Sequence, residues 1–135
     1  MLMTTGTRTA TLLLAFALTA ACTERGPRRA LPGDATDIQE HAVDIGGGTD
    51  TTYYLRARMP AGSFEPYARK LRMTPHVAGR TYSDDTMWLS FDPDPAAPWW
   101  APTPGLAGAW VLQDGRCWTY AKHEAGVMYL KSICH

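Results

Sequence analysis

Residues 107–133 read AGAWVLQDGRCWTYAKHEAGVMYLKSI, and this stretch decides the fold of the chain. Apolar and polar side chains alternate on both sides of Asp114-Gly115, a dipeptide that favours a tight hairpin turn. A second turn is expected over Lys122–Gly126, and it leads into a last strand at Val127–Ile133. The stretch therefore predicts three consecutive strands that pair as an antiparallel meander.

Upstream of the meander, the sequence predicts one strand followed by one helix. Thr51–Met59 alternates apolar and polar side chains, as expected for a strand with one covered face. Pro60-Ala61-Gly62 ends this strand, and Ser63 is placed to cap a helix that ends at Thr74-Pro75. The apolar residues of the helix recur at the spacing of a single stripe. These residues are Phe64, Tyr67, Ala68 and Leu71.

Three further segments complete the expected fold. Asp37–Ile45 reads as a short edge strand, and Met87–Phe91 as another alternating strand. Residues 92–106 contain five prolines, so they predict a stiff, extended segment that crosses the body without regular hydrogen bonding. The expected fold class is α+β, with a small antiparallel sheet of four to five strands, one helix packed on one face, and the C-terminal three-strand meander.

The N-terminal residues have the pattern of an export signal. Ala10–Ala21 is uncharged and apolar, but it is shorter than the roughly 20 residues that cross a bilayer. Leu18-Thr19-Ala20-Ala21-Cys22 resembles the lipobox of bacterial lipoproteins. The resemblance implies cleavage before Cys22 and a diacylglyceryl group on its sulfur. The alternative is an ordinary secreted chain cut near Ala21, with a plain thiol at Cys22.

Three parts are expected along the chain, of which the first follows from this resemblance. Residues 1–21 are expected to be a lipoprotein signal peptide, residues 22–36 a disordered tether rich in Arg, Gly and Pro, and residues 37–135 a single α+β domain. The lipid would hold the chain in the cell membrane or the outer membrane, on its extracytoplasmic face.

The charge balance limits the possible partners. The chain has thirteen cations and thirteen anions, and the leader holds only Arg8. Nucleic-acid binding depends on clustered positive charge, so we expect no nucleic-acid partner. The nearest cluster is Arg25 with Arg28-Arg29, just after Cys22. It suits anionic lipid headgroups, or it is a solvated part of the tether.

The cysteines predict one disulfide. If Cys22 carries a lipid, Cys117 and Cys134 remain in an oxidising compartment and can pair. A five-residue loop over Lys122–Gly126 would place these two cysteines on opposite faces of the sheet, and a four-residue loop would leave them four residues apart in register. We therefore expect the last residues to curl back, with a bulge or free thiols as the alternatives.

The candidate binding residues are Trp99 and Trp100, together with Tyr54, Arg56 and Arg58. Adjacent indoles on a stiff segment point in different directions, so one is expected to remain exposed and to contact a partner. The partner would be an envelope protein or a cell-wall component. The alternative is that both indoles cover the open face of a small sheet.

No catalytic residue, metal ligand or cofactor is predicted, because the four histidines are scattered and no nucleophile motif is present. The expected function is that of a membrane-anchored envelope lipoprotein with a non-enzymatic binding or accessory domain. The alternative is a small extracytoplasmic hydrolase or metal-dependent enzyme. It would use His123, Glu124 or the Asp84-Asp85 pair, and it requires these groups to meet in one pocket.

Overall fold

The computed structural model describes residues 25–45, 50–80 and 89–135. In these residues the chain forms a six-stranded sheet in which every neighbouring pair of strands is antiparallel. The elements in chain order are α1 (Arg25–Arg29), β1 (Thr36–Ile45), β2 (Asp50–Arg58), α2 (Ala61–Lys70), β3 (Thr74–Pro75), β4 (Trp110–Asp114), β5 (Cys117–Glu124) and β6 (Val127–Cys134). Their order across the sheet is β1-β2-β6-β5-β4-β3.

The α+β class and the C-terminal meander are confirmed, because β4, β5 and β6 pair consecutively. The strand count is wrong: the sheet has six strands, because Thr74–Pro75 pairs with β4 at the edge of the sheet. Proline is tolerated there because an edge strand needs fewer backbone donors. The predicted strand at Met87–Phe91 is not found in residues 89–91, and residues 87 and 88 lie outside the described residues.

The turn between β5 and β6 contains only Ala125 and Gly126, whose φ angles are 51° and 78°. The expected five-residue loop is therefore wrong, and Glu124 pairs directly with Val127. In this register Cys117 lies opposite Cys134, with 4.0 Å between their Cα atoms. The predicted disulfide is confirmed, and a regular ladder holds it without curling or a bulge.

The turn between β4 and β5 lies one residue later than its sequence suggested. Asp114 pairs with Cys117, so Gly115 and Arg116 form the turn. Gly115 has a φ of 57°, which glycine adopts without the steric cost that a side chain would bring.

Helix α2 packs on one face of the sheet, which we call the helix side. Phe64, Tyr67 and Ala68 are buried, as their spacing predicted. The helix begins at Ala61, before the expected cap, and the Ser63 hydroxyl donates a hydrogen bond of 3.0 Å to Asp34 instead. The apolar cluster under α2 also contains residues of β2, β5 and β6. They are Tyr53, Leu55, Ala57, Ala121, Met128 and Leu130.

A second segment packs beside α2 where the sequence predicted a tether. The Tyr67 hydroxyl donates a hydrogen bond of 2.9 Å to the Pro27 carbonyl of α1. Ala30, Leu31 and Ala35 are half-buried against the helix-side cluster. Residues 25–36 therefore belong to the folded body, because their apolar side chains have a surface on which to pack. Cys22 and the leader lie outside the described residues.

The opposite face, the loop side, is covered by residues 89–109, which we call the crossing segment. It forms no helix or strand, in agreement with its proline content. Its buried side chains form a second apolar cluster with residues of all the longer strands except β1. The sheet is thus covered on both faces, whereas its alternating pattern predicted one covered face. In the described residues, no helix is long and apolar enough to cross a bilayer.

The disulfide closes a loop of 17 residues across two central strands. We expect Cys117→Ser/Cys134→Ser to lower the free energy of unfolding by about 3 kcal/mol, because the unfolded chain regains the entropy that the link removes. Urea denaturation of both forms measures this difference, and reduced wild-type protein should match the variant. Equal midpoints, or two free thiols in the unfolded wild type, would contradict the prediction.

Candidate functional site

The polar groups of the loop side are concentrated where the crossing segment meets the sheet. His41, Tyr54, Lys131 and Tyr120 lie directly opposite one another on β1, β2, β6 and β5. Cross-strand neighbours share a face, so these side chains form one row beneath the segment. The Tyr120 hydroxyl donates a hydrogen bond of 2.9 Å to the Ser90 carbonyl, which fixes the start of the segment.

Tyr54 provides the next attachment. Its side chain is only 4% exposed, and its hydroxyl donates a 2.6 Å hydrogen bond to the Asp94 carboxylate. Burial raises the pKa of Tyr54, and the bond to Asp94 raises it further. Tyr54 therefore remains a neutral donor and is unsuited to act as a base. The Tyr54 bond, together with the Ala96 N–H, lowers the pKa of Asp94.

Lys131 adds positive charge next to this pair. Its ammonium nitrogen lies 5.2 Å from the centroid of the Tyr54 ring. Burial lowers the pKa of Lys131, and the nearby Asp94 and Asp92 carboxylates partly offset that effect. His41 stacks on the other side of Tyr54, with 6.4 Å between ring centroids. The positive charge of Lys131 stabilises the Asp94 carboxylate at the end of the Tyr54 side chain.

Lys122 forms the second attachment, and it is 3% exposed. Its ammonium group donates to the Thr103 carbonyl and hydroxyl and to the Gly105 carbonyl, the last at 3.3 Å. It also lies 3.9 Å from the Glu124 carboxylate and 4.4 Å from the centroid of the Phe91 ring. Burial lowers the pKa of Lys122, although the charge of Glu124 opposes this shift.

Glu124 holds the same loop from the end of β5. Its carboxylate accepts hydrogen bonds from the backbone N–H and from the hydroxyl of Thr103, both at 2.6 Å. Burial alone would raise the pKa of Glu124, but these two bonds and the charge of Lys122 together hold it below its usual value. Lys122, Glu124 and Thr103 thus form a closed polar network that fastens the crossing segment to the sheet.

Trp100 belongs to the core instead of the surface. Its side chain is 2% exposed, and its indole N–H donates a 3.2 Å hydrogen bond to the Asp92 carbonyl. Its ring meets Tyr54 edge-on, with 5.0 Å between the centroids. Two of the candidate binding residues, Tyr54 and Trp100, are therefore in contact but buried. Trp99 is half-buried against the same cluster.

The two candidate arginines lie on the same side of β2, and both pair with Asp37. Arg56 is largely buried and contacts Asp37 and Gln39, each at 3.1 Å. Arg58 is exposed and lies 3.4 Å from Asp37. Of the five candidate binding residues, Arg58 is exposed, Trp99 and Arg56 are partly buried, and Tyr54 and Trp100 are buried.

Of the groups proposed for the alternative enzyme, the structure describes His123 and Glu124, and these two do not come together. His123 points to the helix side, where its Nε2 lies 2.8 Å from the Met59 carbonyl oxygen, whereas Glu124 points to the loop side. Asp84 and Asp85 lie outside the described residues. Within the part of the chain that the structure describes, no three His, Cys, Asp or Glu side chains are grouped to hold a metal ion.

No family model, curated protein or solved structure matches this chain. Lys122, Asp94 and Thr103 are organising residues that are not among the candidate site residues, because the sequence assigns Lys122 to a turn and the other two to a stiff, extended segment. One signal in the sequence could have identified Lys122 and Glu124: the alternation of β5 continues through both residues, which places them on the same face as Tyr120.

Lys122→Met tests the second attachment. We expect the free energy of unfolding to fall by about 2 kcal/mol, because the Thr103 and Gly105 carbonyls lose their buried donor and the Glu124 carboxylate loses the nearby positive charge. Lys70→Met, at an exposed lysine of α2, is the matched control and should change stability by less than about 0.5 kcal/mol. Urea denaturation measures both. Similar midpoints for the two variants would show that the network contributes no stability.

Tyr54→Phe tests the first attachment through its pH dependence. Because the folded-state pKa of Asp94 is lowered from 3.8, its contribution to stability is present above that value and is lost as the pH falls through the folded pKa. Removing the Tyr54 hydroxyl should move the Asp94 pKa upward and weaken this acid-dependent loss. NMR titration of the Asp94 carboxyl measures the shift. Tyr67→Phe, which loses a different hydroxyl, should leave the Asp94 pKa unchanged; equal effects would contradict the assignment.

Proposed function

We propose that the chain is a lipid-anchored protein of the cell envelope, held through Cys22 on the extracytoplasmic face of the cell membrane or outer membrane. Its folded body is a binding or accessory module and not an enzyme. The observation that carries the proposal is that the folded body directly follows Leu18-Thr19-Ala20-Ala21-Cys22 in the sequence. Helix α1 begins at Arg25, three residues after the residue that would carry the lipid.

The disulfide is consistent with this location. Disulfides persist in oxidising compartments outside the cytoplasm, and Cys117–Cys134 joins two strands in the centre of the sheet. Pairing of these two cysteines also leaves Cys22 as the third cysteine of the chain. It is therefore available for acylation without competition from either partner of the native disulfide.

The use of the polar side chains favours a binding or accessory role. Tyr54 and Asp94 bond to each other, and Lys122 and Glu124 both bond to Thr103, so all four fasten the crossing segment. Each of these groups has a structural partner, which favours a role in holding the fold together. An envelope protein or a cell-wall component would instead meet accessible side chains of the loop side, which include Trp99 and Arg58.

The Cys22→Ala variant tests the anchoring. Wild-type protein purified from membranes should begin at Cys22 and carry the mass of a diacylglyceryl group, whereas Cys22→Ala should lose the lipid and leave the membrane fraction. Thr23→Ala is the control and should retain both. Mass spectrometry of the N-terminus decides, and an intact Met1 form in the soluble cell interior, or an unmodified Cys22 terminus, would overturn the proposal.

A further inference from the structure

Helices α1 and α2 together carry a group of exposed cations. Arg28 and Arg29 are exposed at the end of α1, Lys70 is exposed at the end of α2, and Arg72 is exposed two residues beyond it. The two helices are in direct contact, because the Tyr67 hydroxyl of α2 donates a hydrogen bond to the Pro27 carbonyl of α1. We call Arg28, Arg29, Lys70 and Arg72 the helix-pair surface.

These cations differ from four other cations of the described residues, which lie in ion pairs with carboxylates. In the described residues, Arg56 and Arg58 pair with Asp37, Arg69 pairs with Glu65, and Lys122 pairs with Glu124. The described ion pairs include no member of the helix-pair surface. Glu65 is paired with Arg69, whereas Asp34 accepts a hydrogen bond from the neutral Ser63 hydroxyl and keeps its negative charge. The four cations outnumber this one carboxylate, so the net positive charge of the surface is available to a partner of opposite charge.

A shallow, open groove separates the two helical segments. Its volume is about 250 Å³, and Lys70 stands at its rim with Ser63. The remaining lining is mostly apolar, from Ala30, Pro32 and Pro66. Cations beside an exposed apolar strip are the composition that suits the boundary between lipid headgroups and acyl chains.

We infer that the helix-pair surface lies on the bilayer and binds the headgroups of anionic phospholipids. This rests on the proposed attachment of lipid at Cys22. Two residues, Thr23 and Glu24, separate Cys22 from Arg25, and the three steps along the chain span at most about 11 Å. That distance is comparable to the range of about 8 to 10 Å over which an anionic membrane surface attracts cations at physiological ionic strength. The anchor thus delivers this surface into the field of the headgroups.

The opposite side of the molecule provides the matched control position. Gln113 is exposed near the end of β4, and it pairs with Trp118 of the loop-side cluster. Arg116, in the following turn, is seven residues along from His123, whose ring lies beside Phe64 of α2. Seven strand residues span roughly 23 Å. Gln113 therefore faces away from a membrane that contacts the groove, and Arg116 lies at the end of β5 that is far from α2.

Photo-crosslinking to lipid tests the inference. Benzoylphenylalanine in place of Pro66, in the groove, or in place of Gln113 is introduced into the full chain. The membrane-purified protein is reconstituted in vesicles of phosphatidylcholine, alone or mixed with phosphatidylglycerol. We expect lipid adducts at position 66 to exceed those at position 113 at least about tenfold, and only when phosphatidylglycerol is present.

Charge variants test the role of the cations. With the probe at position 66, the double variant Arg28→Gln/Arg29→Gln should lower the yield of lipid adducts, because each neutralised cation weakens the preference for the orientation in which the groove faces the bilayer about fivefold. Arg116→Gln should leave the yield unchanged. Equal adduct yields at positions 66 and 113, no dependence on phosphatidylglycerol, or an adduct to a protein instead of a lipid would overturn the inference. Mass spectrometry of the same samples reports the lipid on Cys22. If that lipid is absent, the anchoring fails, while co-sedimentation of the chain with phosphatidylglycerol vesicles still decides for or against the surface.

Discussion

The structure depends on the register of the hairpin formed by β5 and β6. The two-residue turn at Ala125-Gly126 pairs Glu124 with Val127, and every pair up to Cys117–Cys134 follows from it. Because side chains alternate along a strand, a slip of one residue would exchange the two faces of β5 relative to β6. The register thus places Lys122 and Glu124 beneath the crossing segment, allows the disulfide to form, and keeps Ala121 in the cluster beneath α2.

The sequence does not reveal this register, for a physical reason. Ala125 adopts a φ of 51°, a conformation that costs a residue with a β-carbon roughly 1–2 kcal/mol, so alanine is not a recognisable turn signal. Lys122, His123 and Glu124 read as a polar loop, yet each is satisfied by a partner distant in the chain. Features set by local spacing were predictable, as shown by the stripe of Phe64 and Tyr67 and by the strand in Val127–Ile133.

In the candidate site too, features set by local spacing were predictable, whereas those set by distant partners were not. The prominence of Trp99-Trp100 and the shared face of Tyr54 and Arg56 could be read from the sequence. The sequence does not show whether that face is covered, because a proline-rich segment forms few backbone hydrogen bonds that would fix its position on the sheet. It is held instead by individual side chains: Asp94 on Tyr54 and Thr103 on Lys122. Such pairs, 40 and 19 residues apart, leave no periodic pattern in the sequence.

The two faces of the sheet give the proposed anchoring a direction. Helices α1 and α2 cover one face, and the crossing segment covers the other, so the sheet stands between the helix-pair surface and Trp99. If the cations of the helices rest on lipid headgroups, the loop side faces away from the bilayer. Arg58 and the accessible part of Trp99 are then presented to the envelope space, where a protein or cell-wall component can reach them. The same fold would thus bind the membrane on one face and a partner on the other, and the short connection to Cys22 would keep the two roles from interfering.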